Sequence, residues 1–229
     1  MLAKVLRLRL SVMFRVFTAA LFVSLTAVSA TAQTSLPPNQ VSHYRDTSML
    51  IPPAGAKVAI IEWEDLECPA CAHAFPFIHM AVDHYKIPLL RHDFIIPGHM
   101  WSREAAMYAR YLQDKVSPDL ATEYRREVFA SQFKIATKDD LNRLTQEFFT
   151  KNGKQLPFVV DPTGELAREV NADHALGEKL GLNETPTIIV VTAKGWIQVK
   201  DISDLYQAID QAEAMVASSP AAHRPVAKK

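Results

Sequence analysis

Short apolar runs alternate with longer amphipathic stretches along this chain, and the pattern predicts a mixed α/β fold. Residues 58–63 and 187–192 are nearly continuous apolar runs rich in β-branched side chains, which is typical of buried strands. Residues 88–96 alternate less regularly and are predicted to form another strand. Residues 196–200 follow a turn at 193–195, so they are predicted to be the return strand of a hairpin.

Apolar residues at helical spacing predict helices between and after these strands. Thr137 with Asp140 three residues later indicates a capping box, and Pro76 is expected to kink the first helix. The predicted helices cover residues 69–85, 102–115 and 204–216, a segment opening at Ser117-Pro118, a segment from Thr137 to a stop at Gly153, and residues 161–182 with a break at 171–173.

The order of these elements predicts two half-domains separated by a helical block. A βαβ unit occupies residues 57–99 and a ββα unit occupies residues 161–217. Since a βαβ unit needs roughly 30 residues, the long interval between the halves predicts a helical insertion at residues 100–160. Residues 33–56 are expected to be an extended N-terminal arm, and residues 218–229 a disordered tail.

The first 32 residues have the layout of a secretory signal peptide. Basic residues without an acid precede an apolar run at 17–30, and Ala30-Thr31-Ala32 is an A-x-A cleavage pattern. The alternative is an uncleaved membrane anchor, but the run is shorter than the roughly 20 residues that span a bilayer. We therefore expect cleavage near Ala32 and a periplasmic or otherwise exported protein, in a compartment where disulfides persist.

The charge balance limits the class of partner. The chain has 25 Lys and Arg against 25 Asp and Glu, so its formal net charge is zero. A nucleic-acid-binding protein usually has a basic surplus, so no nucleic-acid partner is expected.

Cys68 and Cys71 are the only two cysteines, and they lie at the junction between the first strand and the first helix. A helix N-terminus favours a thiolate, which is the nucleophile in disulfide exchange. Cys68 is therefore expected to be the exposed attacking sulfur, and Cys71, one turn inside the helix, the buried resolving sulfur. A disulfide between them closes too short a loop to add much stability.

The cysteine pair has three other interpretations. A structural zinc site needs four ligands, and no second pair of ligands accompanies the cysteines. Attachment of a c-type haem needs C-x-x-C-H, and Ala72 follows Cys71. A local disulfide without function remains open. His73, His79, His84, His92 and His99 are spaced too irregularly for a metal site, so no metal is expected.

The sequence resembles the thioredoxin superfamily and, within it, the DsbA-type thiol–disulfide oxidoreductases. The resemblance covers roughly residues 57–216 and implies a thioredoxin fold with a mixed sheet and an inserted helical domain. Its motifs are Glu62 six residues before Cys68, the pair Cys68-Pro69-Ala70-Cys71, Pro76 five residues after Cys71, and Gly181-Leu182-Asn183-Glu184-Thr185-Pro186-Thr187 before a strand.

The resemblance implies a role for several residues. Thr185 and Pro186 would form the cis-proline loop, which faces the cysteines and pairs with substrate strands; by base rate alone the bond would be trans. Pro69 and Ala70 would also contact substrate. Glu62 would be a buried acid that relays a proton to or from Cys71, although a strand-end acid facing water is the alternative.

The expected activity is the introduction of disulfides into reduced, unfolded exported proteins, with no cofactor beyond the cysteine pair. The resemblance implies a membrane quinone-linked oxidase of the DsbB or vitamin-K-epoxide-reductase type as the reoxidising partner, and a monomer. DsbA members often have histidine between the cysteines where this chain has Ala70, so a reductase or isomerase is an alternative. A second alternative is a non-catalytic, chaperone-like module that binds extended chains.

Overall fold

The computed structural model describes residues 44–217. The predicted signal peptide, the first part of the predicted arm and the predicted tail lie outside these residues. Among the described residues, no helix is both long enough and apolar enough to cross a membrane.

A four-stranded mixed sheet forms the centre of the fold. Its strands are β1 (Val58–Glu64), β2 (Leu89–Asp93), β3 (Thr187–Thr192) and β4 (Gly195–Val199), in the order β2-β1-β3-β4. β2 is parallel to β1, whereas β3 is antiparallel to both β1 and β4. This arrangement, a βαβ unit joined to a ββα unit, is the predicted thioredoxin fold.

Six α-helices occur in the described part of the chain. They are α1 (Pro69–Tyr85), α2 (Ser102–Lys115), α3 (Pro118–Ser131), α4 (Lys138–Lys151), α5 (Glu165–Leu180) and α6 (Leu205–Ala217). Short 3₁₀ turns follow α3 and precede α6. The capping box at Thr137 and Asp140 is present, and Gly153 adopts a φ of 63° just after α4. Both confirm the sequence predictions.

The alternation of side chains along β1 decides what faces each side of the sheet. Val58 and Ile60 pack with α1 and α6, whereas Ala59, Ile61 and Trp63 pack on the opposite face with the end of α5. Glu62 and Glu64 have the same parity as Ile60. They therefore point to the face covered by α1, the helix that begins at the cysteines.

The helical insertion shares a hydrophobic cluster with α1, the helix that begins at the cysteines. Tyr124 of α3 and Phe149 of α4 are buried in the same cluster as Cys71 and Phe75 of α1. The insertion thus lies directly against the cysteine pair.

Three details of the predicted elements were wrong. The strand predicted over residues 88–96 is shorter, because β2 ends at Asp93. The predicted break at 171–173 is absent, and α5 continues through this segment. Asp173, a weak helix former, has a tertiary role there: its carboxylate accepts a hydrogen bond from the Asp93 backbone N–H at 3.1 Å. The helix also begins later than predicted, because the Asp161 carboxylate accepts from Leu166 N and Ala167 N at its first turn.

Candidate functional site

Cys68 is the N-cap residue of α1, at the end of the loop that follows β1. Its φ of −81° and ψ of 120° are extended, and Pro69 begins the helix, where a missing N–H has no cost. Both cysteines are free thiols. Cys68 is 8% exposed and Cys71 is 0% exposed. Cys68 is the less buried of the two, but the prediction that its sulfur is exposed was wrong, because the Thr185 backbone lies against it.

The loop before β3 closes over the cysteine pair. Cys68 Sγ lies 3.3 Å from the Thr185 carbonyl oxygen, to which the thiol donates a hydrogen bond when it is protonated. The Thr185–Pro186 peptide bond is cis, and both residues are half-buried. On the other side, Pro69 and Ala70 are exposed. The structure thus brings all the predicted cysteine and loop residues to one place.

The two sulfurs have opposite proton affinities. The pKa of Cys68 is lowered to about 5, chiefly by the hydrogen bond from the Cys71 thiol, with further lowering from the Thr185 side chain and the Cys71 and Ala70 backbone N–H groups. The pKa of Cys71 is raised well above its ordinary value, first by burial and then by the neighbouring Cys68 sulfur. At neutral pH the arrangement favours a Cys68 thiolate beside a Cys71 thiol.

Glu62 is completely buried beneath this pair. Desolvation, followed by repulsion from Glu64, raises the pKa of Glu62 to about 8, against the opposing effect of Arg91 and Arg125. The Glu62 carboxylate also contributes to the raised pKa of Cys71. This position excludes the alternative of a strand-end acid that faces water.

Arginines that the sequence interpretation missed surround this acid. Arg91 pairs with Glu62 across the β1–β2 register, and its Nε lies 3.5 Å from Glu62 Oε2 and 3.3 Å from Glu64 Oε2. Arg125 of α3 lies 3.3 Å from Glu64 Oε1. A signal existed for both: Arg91 interrupts an apolar strand, and Arg125 has helical spacing with the buried Ala121 and Val128.

Three further side chains fix the loop that presents Cys68. The buried Asp65 carboxylate accepts from Glu67 N and Ile96 N, both at 2.8 Å, and pairs with His99 Nδ1 at 2.8 Å. The Asp65 backbone N–H in turn donates to Cys71 Sγ at 3.5 Å. Gln132, just after α3, donates to the carbonyl oxygens of Leu66 and Cys68 at 2.8 and 3.1 Å.

An apolar groove of about 410 Å³ lies next to Pro69, on the side of the insertion. Phe133, on its rim, is 82% exposed. The groove is lined by Glu67, Pro69, Trp101, Phe129, Gln132, Phe133 and Ile135.

The histidines singled out in the sequence do not converge. His79 contacts Arg91, His92 contacts Asp173 and His99 contacts Asp65. Within residues 44–217, no group of three or more His, Cys, Asp or Glu side chains is arranged to hold a metal ion.

Comparisons with known proteins agree with this fold. The family model described as "Thioredoxin" matches residues 45–211. No curated protein matches the sequence.

Among solved structures, DsbA2 from Pseudomonas aeruginosa is similar, with a TM-score of 0.52 and 16% identity over 70% of this chain and 91% of that chain. The alpha-DsbA1 protein from Wolbachia pipientis has a TM-score of 0.53 and 17% identity over 76% and 100%. A periplasmic thioredoxin-like protein from Salmonella enterica serovar Typhimurium has a TM-score of 0.54 and 17% identity over 72% and 88%. At these identities the likeness concerns the fold.

Proposed function

The chain belongs to the thioredoxin family, and we propose that it is an exported thiol–disulfide oxidoreductase that introduces disulfides into reduced proteins. The observation that carries this proposal is the unequal pair at the start of α1: a Cys68 sulfur that favours the thiolate beside a Cys71 sulfur that favours the thiol. A lowered Cys68 pKa stabilises the reduced form, and each pKa unit raises the two-electron potential by about 30 mV. The pair therefore favours accepting electrons from substrates.

The exchange proceeds in two balanced steps. A substrate thiolate attacks Cys68 Sγ of the oxidised pair, the Cys68–Cys71 bond breaks, and Cys71 leaves with the electron pair and takes a proton from Glu62. A second substrate thiolate then attacks the substrate sulfur of the mixed disulfide, and Cys68 leaves as a stable thiolate. The two substrate thiols release two protons to solvent as they ionise, and Glu62 takes one proton back from solvent after it has protonated Cys71. In total the substrate loses two electrons and two protons; the enzyme gains two electrons and one proton, and one proton remains in solvent.

Attack at Cys68 rather than Cys71 follows from geometry and leaving-group chemistry. Cys71 is 0% exposed, so a substrate reaches Cys68 first. In the second step the sulfur with the lower pKa leaves faster, which favours release of Cys68. Glu62, buried under the helix with a pKa near 8, is suited to hold and return the Cys71 proton near neutral pH.

Two features support an extended, unfolded substrate. The Thr185 carbonyl oxygen lies beside Cys68, at a loop where a substrate backbone would pair, and the apolar groove next to Pro69 offers a surface for apolar side chains. A membrane quinone-linked oxidase of the DsbB or vitamin-K-epoxide-reductase type would reoxidise the cysteines. The basic and apolar N-terminal pattern supports export, and one similar structure is described as periplasmic.

The deciding experiment is the equilibrium of the purified protein with glutathione. We expect a reduction potential between about −120 and −180 mV, the range of oxidants and isomerases. A value near −270 mV, as in thioredoxin, would reverse the proposed direction of electron flow. Absence of any exchange would leave the non-catalytic alternative.

Matched single-cysteine variants test the assignment of the two sulfurs. Cys71→Ser should accumulate a mixed disulfide with a peptide whose single cysteine is activated as a disulfide with a small thiol: the Cys68 thiolate attacks the peptide sulfur, the small thiol leaves, and no resolving thiol remains in the enzyme. Cys68→Ser should not, because Cys71 is buried. Equal trapping by both variants would contradict the assignment.

A further inference from the structure

The Glu62 acid belongs to a larger buried cluster that joins the sheet to the helical insertion. Four acidic side chains in this cluster face three arginines within ion-pair distance: Glu62, Glu64, Asp93 and Asp173 with Arg91, Arg110 and Arg125. All seven side chains are at most 13% exposed.

The cluster lacks one positive charge. Four carboxylates against three guanidinium groups leave a formal charge of −1 if every acid is ionised. His92, which contacts Asp173, does not supply the missing charge, because burial and then Arg110 lower its pKa. An uncompensated buried charge is costly, so a proton on one of the acids is the favoured solution.

Geometry places this proton at the β1 end of the cluster. Asp93 and Asp173 have close partners, since Arg110 Nε lies 2.8 Å from Asp93 Oδ2 and Arg110 also contacts Asp173. Glu62 and Glu64 have only longer contacts of 3.3 to 3.5 Å to guanidinium atoms, and none of their four oxygens has a hydrogen-bond partner within residues 44–217. Burial raises the pKa of both acids.

Arg125 is the member that the insertion contributes next to these two acids. It comes from α3, is 1% exposed, and places NH1 3.3 Å from Glu64 Oε1 and NH2 3.7 Å from Asp93 Oδ1. Arg91, by contrast, comes from β2 and belongs to the thioredoxin fold itself. The charged or titratable groups around the Glu62–Glu64 pair are Arg91 and Asp93 on β2, Asp65 after β1, Cys71 and His79 on α1, Arg110 on α2, Arg125 on α3 and Asp173 on α5.

Two of these groups have separate partners or carry no charge. The Asp65 carboxylate accepts hydrogen bonds from the Glu67 and Ile96 backbone N–H groups and lies 2.8 Å from His99 Nδ1. His79, in contact with Arg91, has a pKa lowered to about 4 by burial and by Arg91, so it adds no charge at neutral pH.

We propose that Arg125 is a positioning residue through which the helical insertion controls one proton that the buried Glu62–Glu64 pair holds. By holding Glu64 ionised, Arg125 keeps that proton on Glu62, next to Cys71. The use of this proton in thiol exchange rests on the proposed function. The insertion is then a part of the redox chemistry as well as a cover for the cysteines.

Infrared titration of protonated carboxyl groups in the reduced protein tests the proposal directly. The Glu62 band is identified as the C=O absorption that Glu62→Gln removes, and it should disappear with a midpoint near pH 8. Arg125→Met leaves four acids against two arginines. The absorption of protonated carboxyl groups should therefore increase, and it should persist to a pH at least one unit higher than in wild type. Glu64→Gln brings the cluster to three acids and three arginines, so the Glu62 midpoint should fall by at least one unit.

Arg126→Met is the matched control, because Arg126 is the next residue of α3 but is half exposed and pairs with Glu123 at the surface. It should leave the midpoint unchanged. Arg125→Lys, which retains the charge, should be close to wild type. If Arg125→Met does not fold, Glu64→Gln decides: a lowered midpoint supports the proposal and an unchanged one overturns it.

The readout separates this inference from the proposed function. If Arg125→Met titrates as Arg126→Met does while wild-type protein exchanges with glutathione, the inference fails and the function stands. If the midpoints move as expected but no exchange occurs, the function fails and the charge assignment stands.

Discussion

Cys68 and Cys71 are chemically identical residues, and their different behaviour comes entirely from where their sulfur atoms lie. Cys68 is at the helix N-terminus, where N–H groups and the Cys71 thiol stabilise its anion. Cys71 is three residues further along and fully buried, so no solvent stabilises its thiolate and its pKa is raised. Glu62 is governed by the same physics: burial favours its neutral form.

The first prediction concerns Glu62. Its pKa is raised to about 8 in the folded protein, whereas in the unfolded chain it is about 4.3. Its contribution to stability is therefore complete below about pH 4 and is lost as pH rises through about 8. Glu62→Gln removes this loss. The unfolding free energy of the variant, relative to wild type, should therefore increase from pH 4 to pH 8, by about 1.4 kcal/mol for each unit by which the Glu62 pKa is raised.

Urea unfolding at pH 4, 6 and 8 measures this difference. Glu123→Gln, an exposed change, serves as the control and should follow wild type at each pH. A Glu62→Gln effect that is the same at all three pH values would show that the carboxyl group is not linked to folding in this way.

Helix α5 shows how an element is positioned by one residue that local propensity disfavours. Gly177 lies inside the helix, where glycine usually costs about 1 kcal/mol relative to alanine. A Cβ at this position would lie 2.5 and 2.6 Å from two ring atoms of Phe94, which is 4% exposed. The glycine lets α5 approach the end of β2, and so brings Asp173 to Asp93 and Arg110.

The second prediction is that Gly177→Ala destabilises the protein, opposite to the effect expected from helix propensity. The clash with Phe94 should cost about 1–3 kcal/mol of unfolding free energy. In a Phe94→Ala background the clash with Phe94 is absent and only the 3.2 Å approach to Trp63 Cδ1 remains, so Gly177→Ala should cost much less than in wild type. A double-mutant cycle from urea unfolding measures the coupling; additive effects would contradict the packing argument.

At the scale of the whole molecule, the redox state and the stability of the fold are linked through Cys68. In the folded reduced protein the pKa of Cys68 is about 5, whereas a cysteine in the unfolded chain has a pKa of about 8.5. This lowered pKa stabilises the reduced fold fully above about pH 8.5, and the gain is lost as pH falls through about 5. The oxidised form has no such gain, and its short disulfide loop adds little.

The third prediction is therefore that the reduced protein is more stable than the oxidised protein at pH 8 and that the difference shrinks towards pH 5. Guanidinium unfolding of both forms across this range is the measurement. Cys68→Ser has no thiolate at this position. Its unfolding free energy should therefore lack both the pH dependence and the added stability that the reduced wild type shows. A gap between the two forms that is independent of pH would contradict the linkage.

The sequence by itself determined the elements and the identity of the cysteine pair. Apolar runs and helical spacing predicted the sheet strands and most helices, because burial of one face imposes these periods on the chain. The C-x-x-C pair could be named from its place at the junction of a strand and a helix, whereas Glu62, Thr185 and Pro186 were named from the resemblance to DsbA-type proteins. The predicted break in α5 is absent, and Asp173 within it is held by tertiary contacts with His92, Asp93 and Arg110, which no local pattern contains.

Only the tertiary structure decided the electrostatics of the site. Arg125 is more than 50 residues from Cys68 and Asp173 more than 100, so no local pattern links them to the cysteines. They join the cluster because the insertion and α5 pack against the ends of β1 and β2, and in the low dielectric of that interior the charge of Arg125 affects the pKa of Glu62. Local sequence periodicity reports which residues are buried, whereas the proton affinity of a buried acid depends on which distant charges are buried with it.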